Sequence, residues 1–574
     1  MLIKRARNVL GRQWIRIALA AVLLFAGMAQ IGAPVLSDNA VRQSLGMSGQ
    51  PAAAFTYVYR VANQPDGTAR VERSEVGSSD WTEASTMRGP ILQLASSQEP
   101  GHQTEFARTA GAILRSVNAG SSWTVAGGLP GKPLSLAVAS GAADLVLVGT
   151  DSSGLYLSSD QGTSWRPASG PLSLDGAGAV AVSALSVNPA DDQVSYAIST
   201  YTMATPEGVH SIQAAYVSVD DARHWFTMAV ERPVPVDMAI SSLGPNVQLY
   251  PVAGQLLAVS AAGPSSMQTF ELVLGPELLN GLEAPDAGLR AAAASAMGLT
   301  GDADAVAPLL RHIKDPDQAA GDRAAEALGH LGDSAAVPAL RAALSDSNEA
   351  VRGRAAYALG LLQDTASIPA LFNMLRSDGP LARNSAASGL AAMGTPEAIW
   401  ALVQQLSASG LTPQGQVAMQ ALEEVGPSAA PQVIGALRSP DTMARRNAAE
   451  LLGYMTPPQA VPALAQALSD PDAEVRAQAA WALGGIGTVP AQQALAQTMA
   501  VTQDISTRQA ATQALAQAQQ MSSQREPMNV TLASAAMHAL SQLPASRWTF
   551  LLLLALFAAT LLAFSAPRKA TGSR

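Results

Sequence analysis

A repeat of about 31 residues is the feature that most constrains this sequence, and it runs from about Asp286 to Gln520. One repeat position holds five arginines and two glycines, spaced by 31, 31, 31, 32, 30 and 31 residues: Arg290, Gly321, Arg352, Arg383, Gly415, Arg445 and Arg476. A second marker runs in phase with it at the head of "VPAL"-type segments: Pro308, Pro338, Pro369, Trp400, Pro431 and Pro462. Two independent markers with one period indicate a repeat protein.

Each repeat is predicted to form two helices. The first, "VRxxAAxALGxxGD", has apolar residues at helical spacing, and its alanines allow a neighbouring helix to approach closely. A glycine near its end, such as Gly360, Gly453 or Gly484, marks the expected C-terminus. The second helix begins with proline in its first turn and ends at an "SDPD" or "SDS" turn. One such hairpin cannot bury its own apolar face, so the repeats are expected to stack into an α-solenoid.

These units resemble HEAT repeats, especially the short variety of phycobilisome lyases and bacterial scaffold proteins. About seven full units and one degenerate unit are predicted. An aspartate stands six residues before the repeat arginine, as in Asp346 and Arg352 or Asp470 and Arg476. The resemblance implies that these residues form a structural ladder between units, and that the solenoid binds proteins rather than catalysing a reaction.

The segment 51–275 has a different texture, with short β-type runs such as "ADLVLVGT" and "VSYAIST" separated by Gly, Ser, Asn and Pro. Tryptophans at 81, 123, 165 and 225 give two successive gaps of 42 residues. That spacing suits one four-stranded propeller blade.

Three segments that end on these tryptophans resemble the Asp box, S-x-D-x-G-x-T-W, of sialidase-like β-propellers. The residues that carry the resemblance are Ser158, Asp160, Gly162 and Trp165; Ser116, Asn118, Gly120 and Trp123; and Ser218, Asp220 and Trp225. The resemblance implies an Asp-box β-propeller in which these residues build hairpin turns far from any catalytic centre.

Both ends of the chain carry membrane-type signals. Basic residues precede an apolar run within residues 1–36, which predicts either a cleaved signal peptide or an uncleaved anchor. Trp548–Ala566 are 19 residues without a charge, followed by Arg568 and Lys569, and predict a transmembrane helix. With both basic flanks on the cytoplasmic side, the bulk of the chain is expected outside the cytoplasmic membrane.

The sequence therefore predicts a multidomain fold: an all-β propeller-like domain, then an all-α HEAT-type solenoid, with an N-terminal signal or anchor and a C-terminal transmembrane helix. The expected boundaries are 1–36 for the signal or anchor, 51–275 for the propeller, 286–520 for the solenoid, 521–547 for a stalk, 548–566 for the transmembrane helix and 567–574 for a cytoplasmic tail.

No catalytic, cofactor-binding or metal-binding residue is predicted. The chain has no cysteine, and its six histidines show no ligand spacing. The arginine motif of sialidases has no match, and its nearest counterpart, Arg60 with Tyr59 and Glu75, is interpreted as a strand surface. Residues 280–520 carry 22 acidic and 14 basic side chains, a net charge of −8 that disfavours nucleic acid.

The expected function is a membrane-anchored extracytoplasmic scaffold for protein–protein interaction or complex assembly. The alternative from a different class is a glycan-binding or glycoside-hydrolysing, sialidase-like propeller. A third interpretation, a lyase-type chaperone for a chromophore protein, follows only from the HEAT resemblance. The sequence does not identify the protein partner.

Overall fold

The structure is a computed structural model of the 574-residue chain. It describes residues 35–36, 57–75, 80–99, 102–139, 145–168, 179–188, 191–205, 208–230, 234–235, 247–252, 255–260, 267–407 and 412–520. The predicted stalk, transmembrane helix and tail lie outside these residues, as does the predicted signal segment apart from Val35–Leu36.

The N-terminal part of the described chain forms five antiparallel sheets in which strands adjacent in sequence pair as meanders. Sheets 1 to 5 contain β1–β4, β5–β8, β9–β12, β13–β17 and β18–β20; β17 pairs with β15. The strands are β1 Val35–Leu36, β2 Tyr57–Asn63, β3 Thr68–Glu75, β4 Thr82–Arg88, β5 Gln93–Glu99, β6 His102–Arg108, β7 Ile113–Ser116, β8 Thr124–Val125, β9 Pro133–Val138, β10 Val146–Thr150, β11 Leu155–Ser158, β12 Arg166–Pro167, β13 Val180–Asn188, β14 Asp191–Thr205, β15 Gly208–Ser218, β16 Phe226–Val230, β17 Val234–Pro235, β18 Val247–Val252, β19 Gln255–Ser260 and β20 Met267–Glu271.

The sheets pack on one another in sequence order. Phe106 of sheet 2 shares an apolar cluster with Leu136 and Val148 of sheet 3. Leu157 of sheet 3 shares the next cluster with Tyr216 of sheet 4. Strands whose residues are buried on both sides, such as β10, therefore lie between two neighbouring sheets.

The prediction of an Asp-box β-propeller is wrong for this part of the chain. The described residues form a β-sheet domain without a closed barrel, and no strand ladder among them joins sheet 1 to sheet 5. The 42-residue spacing reflects local hairpins that recur from sheet to sheet. Closure into a ring depends on contacts between the first and last sheets, about which a local turn motif carries no information.

The C-terminal part is helical from residue 276 onward. The helices are α1 Pro276–Leu282, α2 Ala287–Thr300, α3 Val306–His312, α4 Gln318–Leu331, α5 Val337–Ala343, α6 Glu349–Leu361, α7 Ile368–Ser377, α8 Pro380–Met393, α9 Pro396–Val403, α10 Pro413–Val425, α11 Ala430–Ala436, α12 Thr442–Met455, α13 Val461–Ala467, α14 Ala473–Ile486 and α15 Val489–Val501, followed by a helical stretch at 505–520. From α2 onward they pair into seven two-helix units within the described residues. In most units a longer first helix precedes a shorter second one.

The turn between units supplies the N-cap of the next first helix. In "SDPD" the second aspartate, Asp472, accepts hydrogen bonds from the backbone N–H groups of Glu474 and Val475. This contact satisfies donors that a helix N-terminus leaves unpaired. Several first helices end on a left-handed glycine, such as Gly332 with φ 65° and Gly487 with φ 62°, because glycine adopts this conformation without strain.

The glycines that were expected to end the first helices instead allow these helices to touch. Gly360, Gly453 and Gly484 lie within the last turn of α6, α12 and α14. A Cβ atom built on Gly360 would lie 2.3 Å from the carbonyl oxygen of Gly389 in α8. Backbone thus meets backbone between these two helices.

The last two sheets and the first helices of the solenoid share one apolar cluster. Phe226 of sheet 4 and Phe270 of sheet 5 belong to the same buried cluster as Leu278 of α1 and Leu359 of α6. The first units of the solenoid are therefore packed directly against the end of the sheet stack.

The structure does not support the predicted membrane location. None of the helices within the residues that the structure describes is both long and apolar enough to cross a membrane. The segment 548–566, which prompted the prediction, is not among those residues.

We expect Gly360→Ala to lower the free energy of unfolding by about 1–3 kcal/mol, because the added methyl group would meet the rigid backbone of α8. Gly435→Ala is the matched control: its Cβ would meet only the Trp400 ring at 3.9 Å, so better helix propensity should stabilise it by about 0.5–1 kcal/mol. Chemical denaturation followed by circular dichroism measures both effects. Equal stability changes in the two variants would contradict backbone contact at Gly360.

Candidate protein-binding surface

The hairpin turn between β11 and β12 is held by the side chains of Ser158 and Asp160. Ser158 Oγ donates to Asp160 Oδ1 at 2.7 Å and accepts from the backbone N–H of Gly162 at 2.7 Å. Asp160 also accepts from the backbone N–H groups of Thr163 and Ser164. Hydrogen bonds from the hydroxyl and backbone of Ser164, and then from Ser158, lower the pKa of Asp160 to about 2.

Two further hairpin turns repeat this pattern in sheets 2 and 4. The Ser116 hydroxyl donates to Asn118 Oδ1 at 3.0 Å and accepts from the backbone N–H of Gly120 at 3.0 Å. The Ser218 hydroxyl donates to Asp220 Oδ1 at 3.0 Å, and Asp220 accepts a backbone N–H four residues further along. All three turns thus have two hydrogen bonds in common: from the serine hydroxyl to the Asp or Asn side chain, and to that side chain from a backbone N–H group four residues later.

Each turn contacts the preceding sheet. Trp123 Nε1 donates to Ser85 Oγ of sheet 1 at 3.1 Å. A Cβ built on Gly162 would lie 3.2 Å from Phe106 of sheet 2, and the Trp165 ring packs against the cluster that contains Phe106. Trp225 is buried in the cluster between sheets 3 and 4. These residues connect neighbouring sheets.

Of the three residues interpreted as a strand surface, Glu75 is exposed, Arg60 is half-buried and Tyr59 is buried. Tyr59 is 1% exposed, so its interpretation as a strand-surface residue is wrong. Glu105 is fully buried and accepts a hydrogen bond from Ser96. Arg60 pairs with Glu72 at 2.5 Å. Among the described residues, no group of three His, Cys, Asp or Glu side chains could hold a metal ion.

The repeat arginines connect each unit to the next. Arg352 Nε donates to Asp378 Oδ2 at 2.8 Å, and Arg352 Nη1 donates to the backbone carbonyl of Asp346 at 2.9 Å. The carboxylate of Asp346 instead accepts from Lys314 Nζ at 3.0 Å. The two residues that the sequence pairs are therefore joined through a backbone carbonyl, and the ion pair reaches the following turn.

Asp470 and Arg476 show the same arrangement. Asp470 pairs with Arg445 of the preceding unit, with Arg445 Nε 2.7 Å from Asp470 Oδ2. Arg476 Nη1 donates to the Asp470 carbonyl at 2.8 Å, and Arg476 Nη2 donates to Asp504 at 2.9 Å. Arg290, Arg352, Arg445 and Arg476 thus each bind the turn before and the turn after, and Arg383 binds the Asp378 carbonyl of the turn before it.

Acid should weaken this ladder. Hydrogen bonds from Arg352 lower the pKa of Asp378 below its usual value. A carboxyl group whose pKa is lower in the folded state stabilises the fold above its unfolded pKa, about 3.9, and this contribution is lost as pH falls through the folded pKa. The free energy of unfolding should therefore decline as pH falls below about 4, and less steeply in Asp378→Asn.

Denaturation across a pH series measures this decline. Glu397→Gln, at an exposed carboxylate on α9, is the control and should keep the wild-type slope. Parallel slopes for wild type and Asp378→Asn would contradict it.

At position 321, glycine replaces the repeat arginine, and a side chain of the next unit makes the turn contacts that the arginine would make. At Gly321 the free space is filled by Arg354, whose Cζ would be 2.1 Å from a Cβ on the glycine. Arg354 is 5% exposed and donates to the backbone carbonyls of Ile313, Asp315, Asp317 and Gln318. It therefore caps the turn that an arginine at 321 would otherwise bind.

At the second glycine gap, Gly415, the equivalent position of the next unit also binds the segment that precedes the gap. Asn447 stands two residues after Arg445, as Arg354 stands two residues after Arg352. Asn447 Nδ2 donates to the Leu406 carbonyl at 3.1 Å, 41 residues back, which is also the separation between Arg354 and Ile313. The sequence showed the two gaps but gave no indication of what fills them.

We expect Arg354→Ala to lower the free energy of unfolding by about 3–5 kcal/mol, because it removes a buried charged group and leaves several carbonyls without donors. The double variant Gly321→Arg with Arg354→Ala should recover much of this loss, because the carboxylate of Asp346 is at the repeat position where the new arginine would form its ion pair. Chemical denaturation followed by circular dichroism tests this. A double variant no more stable than Arg354→Ala would contradict compensation.

The exposed side of the first helices forms a groove, here called the first-helix groove. Its acidic hollow is a cavity of about 530 Å³. Asp322, Glu326, Tyr357, Ser388 and Glu424 are among its lining residues, from α4, α6, α8 and α10. Burial, together with the negative charges of Glu326 and Glu424, raises the pKa of Tyr357.

A second cavity, the aromatic hollow, follows along the same helices. It has a volume of about 440 Å³ and lies between α12, α14 and the helix at 505–520. Its lining includes Glu450, Tyr454, Gln478, Trp481 and Gln513.

The groove meets sheet 4 at its N-terminal end. A small cavity of about 70 Å³ lies between Val194 and Val219 of the sheet and Glu326 and His330 of α4. Glu326 also lines the acidic hollow. The sheet stack therefore forms a wall at this end of the groove.

The comparisons with known proteins identify the repeats. The HEAT repeat family matches residues 275–349, 337–423 and 430–516. The C-terminal half of the chain therefore contains HEAT repeats, and the matched ranges do not reach sheets 1 to 5. A comparison with curated proteins gives no match.

Several solved structures are similar to part of the chain. Human deoxyhypusine hydroxylase is 22% identical, with 42% of this chain and 95% of that chain covered and a TM-score of 0.20. The CpcE–CpcF complex of phycocyanin lyase from Nostoc is 24% identical, with 42% and 94% covered and a TM-score of 0.20. Kap121p bound to RanGTP is 14% identical, with 48% and 36% covered and a TM-score of 0.30. Similarity at these levels indicates nothing about function.

Proposed function

We propose that this protein is a protein-interaction scaffold that binds a segment of a partner protein in the first-helix groove. The observation that carries the proposal is the groove itself. Two cavities of about 530 and 440 Å³ follow one another on the exposed side of stacked first helices. Solenoids present extended surfaces of this kind to their partners.

The charge of the groove favours a protein over a nucleic acid. The acidic hollow contains Asp322, Glu326 and Glu424, and the aromatic hollow contains Glu450. The only arginine lining the acidic hollow, Arg354, is already occupied by Asp322 at 2.8 Å and by backbone carbonyls. An excess of carboxylates repels phosphate groups.

The described sheets do not favour a glycan-processing function. It would require convergent carboxylates in an accessible pocket. In the described part of the sheets, Glu105 and Tyr59 are buried within the packed interior and Glu72 is engaged by Arg60.

The test is a substitution that fills the groove. Ser388→Arg places a long cationic side chain in the acidic hollow, and we expect it to abolish partner capture from a native cell extract by the full-length protein. Gln466→Arg makes the same chemical change on the exposed surface of the second helix α13, so capture should persist. Quantitative mass spectrometry of the captured proteins compares the two variants with the wild type.

Circular dichroism should show both variants to be folded. Identical sets of captured proteins for Ser388→Arg and wild type would contradict the proposal that the groove is the binding surface.

A further inference from the structure

We infer that the aromatic hollow binds an arginine side chain of the partner segment; this inference rests on the proposed function. The evidence lies in four properties of the hollow: an exposed aromatic pair, a rigid support beneath it, a carboxylate without a recorded partner, and the sign of the surrounding charge.

The aromatic pair is unusually accessible for two large rings in contact. Tyr454 is 59% exposed and Trp481 is 36% exposed. Their ring centroids are 5.1 Å apart with an interplanar angle of 71°. Edge-to-face packing of this kind fixes the two rings relative to each other while leaving apolar surface open to a ligand.

Gly453 supports the indole from below. A Cβ on this glycine would lie 2.1 Å from Trp481 Cζ3, so the six-membered ring rests directly on the backbone of α12. This close contact holds the ring in place before any ligand arrives. A ligand that stacks on a preorganised ring loses less conformational freedom on binding.

Glu450 supplies the charge. It lies one helical turn before Tyr454 on α12 and lines the same cavity. Within the described residues, no hydrogen bond or ion pair is recorded for it, whereas nearby Glu474 lies 3.8 Å from Arg446. A carboxylate beside an aromatic face recognises a group that is both cationic and planar.

Arginine combines these two properties. Its guanidinium group stacks on aromatic rings and donates two parallel hydrogen bonds to a carboxylate, whereas the lysine ammonium is a compact, strongly hydrated charge. The three glutamines at the hollow, Gln478, Gln513 and Gln517, offer amide oxygens to the remaining guanidinium donors. The chemistry of the hollow therefore matches arginine more closely than lysine or an apolar side chain.

The negative charge along the rest of the groove also attracts a positively charged segment. Glu424 of the acidic hollow has no recorded ion pair among the described residues, and residues 280–520 carry a net charge of −8. Potentials of this kind steer oppositely charged partners and depend on ionic strength. The inferred occupant is therefore a basic segment of a partner protein that carries at least one arginine.

The experiment uses a displayed library of random short peptides selected on the full-length protein. Selected peptides should be enriched in arginine. Their affinity should fall about tenfold or more in Trp481→Ala, as is typical for loss of a buried aromatic contact. Glu450→Gln, which keeps the shape of the hollow, should also weaken binding. The matched controls are Trp400→Ala, at a tryptophan that is 47% exposed on α9 outside both hollows, and Glu397→Gln on the same helix.

Changes to the peptide complete the test. Replacing its arginine by citrulline, which keeps the shape but removes the charge, should weaken binding about as much as Trp481→Ala does, and lysine should restore only part of the affinity. Selected peptides without arginine whose binding is lost in Ser388→Arg would overturn this inference and leave the proposed function standing. Peptides that bind equally well to Trp481→Ala, Glu450→Gln and Ser388→Arg would overturn both.

Discussion

Close contact between neighbouring first helices is the constraint on which the solenoid depends. A glycine recurs at one repeat position and faces an atom of the next first helix: Gly298, Gly329, Gly360, Gly453 and Gly484. In α6 the neighbour is backbone, whereas in α12 it is the Trp481 ring. The aromatic hollow thus arises where a ring occupies the space that elsewhere brings two helices together.

The sequence predicted the solenoid well because its register is local and repeated. It did not predict the ladder partners, since Arg352 and Asp378 are 26 residues apart and only the stacked units bring them together. Asp346, which is close to Arg352 in the sequence, was predicted instead, and it contacts Arg352 through its backbone carbonyl. The groove was equally unpredictable, because Tyr454 and Trp481 become neighbours only after α12 and α14 pack.

The sheets show that a local sequence motif predicts a turn but does not predict the architecture of the whole domain. Ser158, Asp160 and Gly162 specify a turn through contacts within a few residues, and the same turn recurs in sheets 2 and 4. Closure and domain boundaries depend on surfaces far apart in sequence. The apolar cluster that joins Phe226 to Leu359 shows that the last sheets and the first helical units fold against one another, although composition alone separates them into two domains.

The two glycine gaps have a consequence for how such a chain can change during evolution. Gly321 is complementary to Arg354 and Gly415 accompanies Asn447, each across the boundary between adjacent units. Loss or duplication of a single unit at either boundary would separate a gap from the side chain that compensates for it. The second unit with the third, and the fifth with the sixth, must therefore be gained or lost together for this compensation to persist.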